Sequence, residues 1–165
     1  QKLLFATFGV DIESITIIVS TFMLGLGVGA LLGGQLADRY PSRIIYFFAA
    51  AEGLIGLFGF ASPHLINAVG HSTIQSPLLI IALASFLLLL LPTTLMGATL
   101  PMLVAFLVKG YGNVGVSIGN LYFINTLGAA LGAFTMGYVW FYYFEINTII
   151  YGAALINFFV STIVL

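Results

Sequence analysis

Long apolar runs separated by short polar clusters pattern this chain from end to end. Residues 15–37 are 23 consecutive positions without a charge, enough at about 1.5 Å per residue to cross a hydrocarbon core of about 30 Å with some tilt. Ahead of them, 3–10 is too short to cross and runs into Asp11, Ile12, Glu13 and Ser14, which predicts the closing turns of a partial first helix. A tight turn follows at Asp38, Arg39, Tyr40, Pro41, Ser42 and Arg43, where Pro41 lacks the N–H a continuous helix needs. The next run, 44–61, is interrupted only by Glu52, and Ser62, Pro63 and His64 open a connection predicted to reach Pro77. Residues 78–108 are too long for one straight crossing and too short for two. Pro92 and Pro101 predict one long helix, kinked near Pro92 and ending around Lys109. Beyond the loop Lys109, Gly110, Tyr111, Gly112, Asn113 lie runs 116–141 and 146–165, the first closing on an interfacial aromatic belt of Trp140, Tyr142 and Tyr143.

The expected fold is therefore all-α: a polytopic membrane bundle of about six transmembrane helices, the first partial, in a single domain over 1–165. Composition sharpens this. Hydrophobic residues make up 61% and charged residues 5%, against about 25% charged in a soluble domain. Four Lys and Arg in all supply no basic surface for nucleic acid, and with no Cys there is no disulfide or thiolate site. The chain opens on Gln1 and closes on Ile163, Val164 and Leu165 inside an apolar run, so it is expected to be a fragment of a longer protein.

The cations set an expected topology. Arg39, Arg43 and Lys109 lie in alternate connections, while the intervening ones carry Asp11, Glu13, His64, His71 and Glu145. The cationic loops are expected on the cytoplasmic side of the cell (inner or plasma) membrane, and with them the end of the last helix. His64 and His71 then fall in an external loop.

Small residues recur every four positions at Gly25, Gly29 and Gly33, with Gly27 and Gly34 broadening the face, and again at Gly128 and Gly132 with Ala129, Ala130 and Ala133. Such faces let another backbone approach closely, so both are read as helix-packing seams. Gly25, Gly27 and Ala30 also fit a loose dinucleotide fingerprint, but that motif opens a helix after a strand and cannot sit inside an apolar span.

Glu52 stands nine positions after Arg43, about 13 Å into the membrane along a helix. Gly56 and Gly59 share its face, which turns it toward neighbouring helices. Lys2, nine positions before Asp11, falls at a similar depth and is a candidate partner for Glu52. An intramembrane acid is a functional hypothesis; a neutral glutamic acid hydrogen-bonded to another helix is the structural alternative. Asn125 lies three residues after Tyr122 and three before Gly128, so all three can share one side of their helix. Asn120 and Asn157 are further buried-looking amides. Neither a catalytic constellation nor a metal-ligand pattern occurs, and no cofactor is expected.

The turn Gly34, Gln35, Leu36, Ala37, Asp38, Arg39 resembles in part the loop between the second and third helices of major facilitator transporters. In this chain Pro41 and Ser42 intervene before Arg43. A closer resemblance lies in FMLGLGVGALLGGQLADR at 22–39, AEGLIGL at 51–57, LPTTLMGATLPML at 91–103 and NLYFINTLGAALGA at 120–133. These look like the membrane region of spermidine-synthase-like membrane proteins, in which a transporter-like bundle is fused to a soluble aminopropyltransferase-type domain. The resemblance implies half of a major-facilitator-type bundle, with Glu52 matching the family's intramembrane acid. It places any aminopropyltransferase chemistry in a soluble domain that this sequence does not contain.

The expected function follows: a membrane domain that anchors a cytoplasmic enzyme domain or handles a polyamine-like cation, with Glu52, Asn125 and Tyr122 as candidate substrate contacts. The alternative is a structural or accessory subunit of a larger membrane complex, or a half-transporter acting as a homodimer. Asp38, Arg39, Arg43, Lys109 and Lys2 are assigned to ion pairing or topology. Partners beyond the lipid bilayer would be that enzyme domain, the complex or a second copy.

Overall fold

The computed structural model describes residues 12–73 and 76–165, and every regular element among them is helical. Five helices are long and apolar enough to cross a membrane: α1 (Ile12–Arg39), α2 (Ile44–Thr73), α3 (Leu78–Tyr111), α4 (Val114–Thr135) and α5 (Ile146–Val164). The described residues thus hold five spans where six were expected, the partial run 3–10 lying outside them. Large apolar side chains face outward all round the bundle, among them Met23, Leu31, Leu79, Phe159 and Ile163. With so few charges to hydrate it, such a surface is stable only against lipid, and the chain is an integral multi-pass membrane protein.

The connections explain how the chain reverses. After α1, Tyr40 N–H donates to the Leu36 carbonyl at 2.9 Å and Arg43 N–H to the Tyr40 carbonyl at 3.0 Å, closing the turn around Pro41. α3 ends on Gly112, whose φ of 65° lies in the left-handed region that favours glycine and whose N–H donates to the Val108 carbonyl. Asn113 then caps α4, its side-chain oxygen accepting from Val116 N–H at 3.1 Å.

Two sequence expectations, on the second and the fifth runs, are corrected here. The second span does not stop at 61: α2 runs through Pro63 to Thr73, carrying His64 and His71 on the helix rather than in a loop. Pro63 cannot donate to the Gly59 carbonyl one turn back, but the Ser62 hydroxyl does so at 2.9 Å, which lets the helix continue. α3 is one helix through both Pro92 and Pro101 and extends to Tyr111. The fifth run is not α-helical to 141: at Met136–Trp140 it widens into a π-turn before a last α-turn, Phe141–Tyr143. Just ahead of that change, the Thr135 hydroxyl donates to the Leu131 and Gly132 carbonyls, a local bond that competes with the regular ladder.

Two helix pairs organise the packing. α1 and α3 run parallel, with backbones so close that a Cβ at Gly25 would overlap Thr93, one at Gly29 the Thr94 carbonyl, one at Gly33 Ala98, and one at Gly97 the Leu26 backbone. α2 and α5 run antiparallel: a Cβ at Gly56 would lie 3.0 Å from the Ala154 carbonyl, one at Gly59 would lie 2.9 Å from the Ala154 Cβ, and the Ser161 hydroxyl donates to the Ala49 carbonyl at 2.7 Å. Phe60 stacks on Tyr151 with centroids 5.6 Å apart. α2 also packs on α3, and a core of Ala37, Ile44, Phe48, Ala98 and Met102, flanked by Val160 and Val164, binds the pairs together near the Pro41 turn.

Candidate functional site

Between the two pairs, and roofed by α4, lies a cavity of about 660 Å³ to which all five spans contribute. Its geometry follows from the seams. The glycines at 25, 29 and 33 commit one face of α1 to α3, which leaves Phe22, Leu26 and Ala30, again four apart, on the adjoining face toward the cavity. The same logic holds in α2: Gly53, Gly56 and Gly59 face α5, so Glu52 and Ile55, one position earlier in each turn, line the cavity. α3 adds Met96, Gly97, Thr99, Leu100 and Pro101, α4 adds Asn125 and Ala129, and α5 adds Asn157.

The lining is an apolar wall with four polar side chains, Glu52, Thr99, Asn125 and Asn157, from four different helices. Glu52 is half-buried and carries the only formal charge among the described lining residues. The Thr99 hydroxyl donates to the Met96 carbonyl at 2.8 Å, and Asn157 Nδ2 donates to the Ala153 carbonyl at 3.1 Å. An arrangement of this kind has the chemistry to hold a solvated or cationic group against one carboxylate. It has no paired acid and base for covalent chemistry, and among the described residues no group of three or more His, Cys, Asp or Glu side chains could hold a metal ion.

Of the candidate substrate contacts, Glu52 and Asn125 come to one cavity and Tyr122 does not: it is 65% exposed on the outer side of α4. Lys2, the candidate partner of Glu52, lies outside the described residues. Asp38, Arg39 and Arg43 are exposed at the Pro41 turn, well away from the cavity, with Arg39 over the Tyr40 ring at 5.6 Å. Lys109 Nζ donates to the Pro41 carbonyl, so the three cations gather at one end of the bundle. Gly25, Gly29 and Gly33 form the α1–α3 seam, but Gly27 and Gly34 point away from it, and a Cβ at Gly128 or Gly132 would meet nothing within 4 Å. Among the described residues the second seam is therefore not made: no helix backbone approaches those glycines as α3 approaches α1. Sequence reasoning did not single out Thr99 for the site and read Asn157 only as a buried amide. The available signal was polarity inside an apolar run, which Thr93 and Thr94 share while facing elsewhere.

Fold and cavity together define a multi-pass membrane protein of transporter-like build. A stretch of 60 residues is 38% identical to the 4-hydroxybenzoate transporter PcaK of Pseudomonas aeruginosa, a major facilitator transporter, and covers 36% of this chain and 13% of that protein. The matched stretch is thus a small part of the transporter's length. No family model and no solved structure matches the chain. The chain is a membrane transporter-like segment distantly related to a major facilitator transporter.

Proposed function

We propose that this chain is the membrane domain of a spermidine-synthase-like protein and that its cavity handles an amine-type cation, with Glu52 as the counter-charge. One observation carries the reading: a lone carboxylate and three neutral polar groups from four helices converge on a cavity otherwise walled by apolar side chains. An intramembrane acid is costly to retain, and a carrier's site commonly lies near the midplane between helices. The cargo named for the relative, 4-hydroxybenzoate, is an aromatic carboxylate. Among the described residues the cavity is lined by an acid and no cation, a lining that repels that charge, so relatedness of fold and identity of cargo part company in this reading. In this reading the end bearing Arg39, Arg43 and Lys109 faces the cytoplasm, and α5 ends on the same side, where a fused aminopropyltransferase-type domain would meet its substrates.

Glu52→Gln tests it. Reconstituted in liposomes, the chain is expected to bind or take up a labelled aliphatic diamine and the variant to lose that activity; equal activity in the two discards the role. The second reading, an accessory subunit of a larger membrane complex or a homodimer, draws on the bare face of α4 at Gly128 and Gly132. A complex that co-purifies in mild detergent, with no amine binding by the chain, would favour it.

A further inference from the structure

Resting on the amine reading above, we propose that the cavity recognises its cation through N–H groups, which makes Thr99 and Asn157 specificity-determining residues and selects primary or secondary ammonium over quaternary ammonium. Two of the donors that line the cavity are already committed. The Thr99 hydroxyl proton lies on the Met96 carbonyl, and an Asn157 amide hydrogen lies on the Ala153 carbonyl. Beside the second Asn157 amide hydrogen, what these two residues turn to a ligand is acceptor oxygen: the Thr99 Oγ1 lone pairs and Asn157 Oδ1. Glu52 adds a carboxylate, which when ionised is an acceptor alone, and among the described residues no hydrogen bond reaches it. Asn125 contributes a second amide oxygen from α4.

Four acceptor groups around one space match a group with several N–H donors and a positive charge. An alkylammonium supplies three such donors, and its chain can lie against Phe22, Leu26, Ile55 and Leu100. A trimethylammonium of equal charge supplies none, so the acceptors would lose water without a replacement. Quaternary ammonium is usually held by a cage of aromatic faces, and among the described residues Phe22 is the only aromatic side chain in the lining.

The test measures binding of n-butylammonium and butyltrimethylammonium to the purified full chain in lipid nanodiscs. Butylammonium is expected to bind at least about tenfold more tightly, in line with polar groups left unpaired by the wrong ligand. Thr99→Val is expected to weaken butylammonium about fivefold and leave butyltrimethylammonium unchanged, by loss of one acceptor to a charged donor. Thr99→Ser, which keeps the hydroxyl, is expected to restore the preference, and a thermal melt of each variant separates altered binding from altered folding. Equal affinity for the two cations, both abolished by Glu52→Gln, would overturn donor recognition while leaving a cation site at Glu52. Thr99→Val weakening both cations alike would overturn it too. If a well-folded chain binds neither cation, the amine reading fails and this inference with it.

Discussion

Two helices of this bundle carry the same small-residue spacing and meet opposite fates. In α1, Gly25, Gly29 and Gly33 lie so close to α3 that a methyl group at Gly29 would overlap the Thr94 carbonyl and stand 2.9 Å from Ala98 N. In α4, Gly128 and Gly132 face open space. The partner makes the difference. α3 answers α1 with its own thin stretch at Gly97 and Ala98, so backbone meets backbone and each side supplies dispersion contacts to the other. Among the described residues no helix offers α4 the same. A glycine repeat therefore marks capacity for close approach, and a matching thin surface decides whether the capacity is used.

The most disruptive way to break this contrast is Gly29→Leu. Its side chain would be driven into α3 backbone that cannot rotate aside, and overpacking of this kind costs about 3 kcal/mol or more. Loss of the cooperative melt in detergent is the expected result; a melt like the native one would mean that the seam is not load-carrying. A smaller effect is expected in the α2–α5 pair. Ser161→Ala removes the hydroxyl that donates to the Ala49 carbonyl at 2.7 Å, which should lower stability by about 0.6–1 kcal/mol, the usual worth of one interhelical hydrogen bond in a membrane. Smallest of all is Gly128→Ala. With no atom within 4 Å of the added methyl, the change is expected to be neutral or to stabilise α4 by about 0.5 kcal/mol through helix preference. Destabilisation by Gly128→Ala would show that this face does meet a helix, and would erase the contrast with α1.

Much of the fold was legible because lipid leaves the backbone few choices: a run of about 20 apolar residues without a charge is a crossing helix. Where the reading failed, local chemistry overruled a general rule. Pro63 looked like a boundary, but the Ser62 hydroxyl takes the carbonyl that Pro63 leaves free, and α2 continues. The run 116–141 looked uniform, yet it gives way to a π-turn just after Thr135. The candidate site was legible at Glu52, whose place four and seven positions before Gly56 and Gly59 already sets it near the helix-facing side. Tyr122 was grouped with Asn125 because three residues nearly complete a turn, but the remaining angle of about 60° carries it out of the cavity. Ala129, four residues beyond Asn125, takes the place beside it. Thr99 could not be told from Thr93 or Thr94 without knowing which side of α3 the α1 glycines occupy.

Because the chain contains no Cys, a single thiol can report on the cavity directly. Ala129→Cys places it on the α4 wall opposite Glu52, and its labelling by aminoethyl and sulfonatoethyl methanethiosulfonate reads the charge of the space. With Glu52 as the only charge among the described lining residues, the ratio of cationic to anionic labelling rates is expected to fall about tenfold or more when Glu52→Gln is added, the scale set by one unit charge at short range in a partly dry site. An unchanged ratio would contradict the account, since Glu52 would then not govern the cavity it lines.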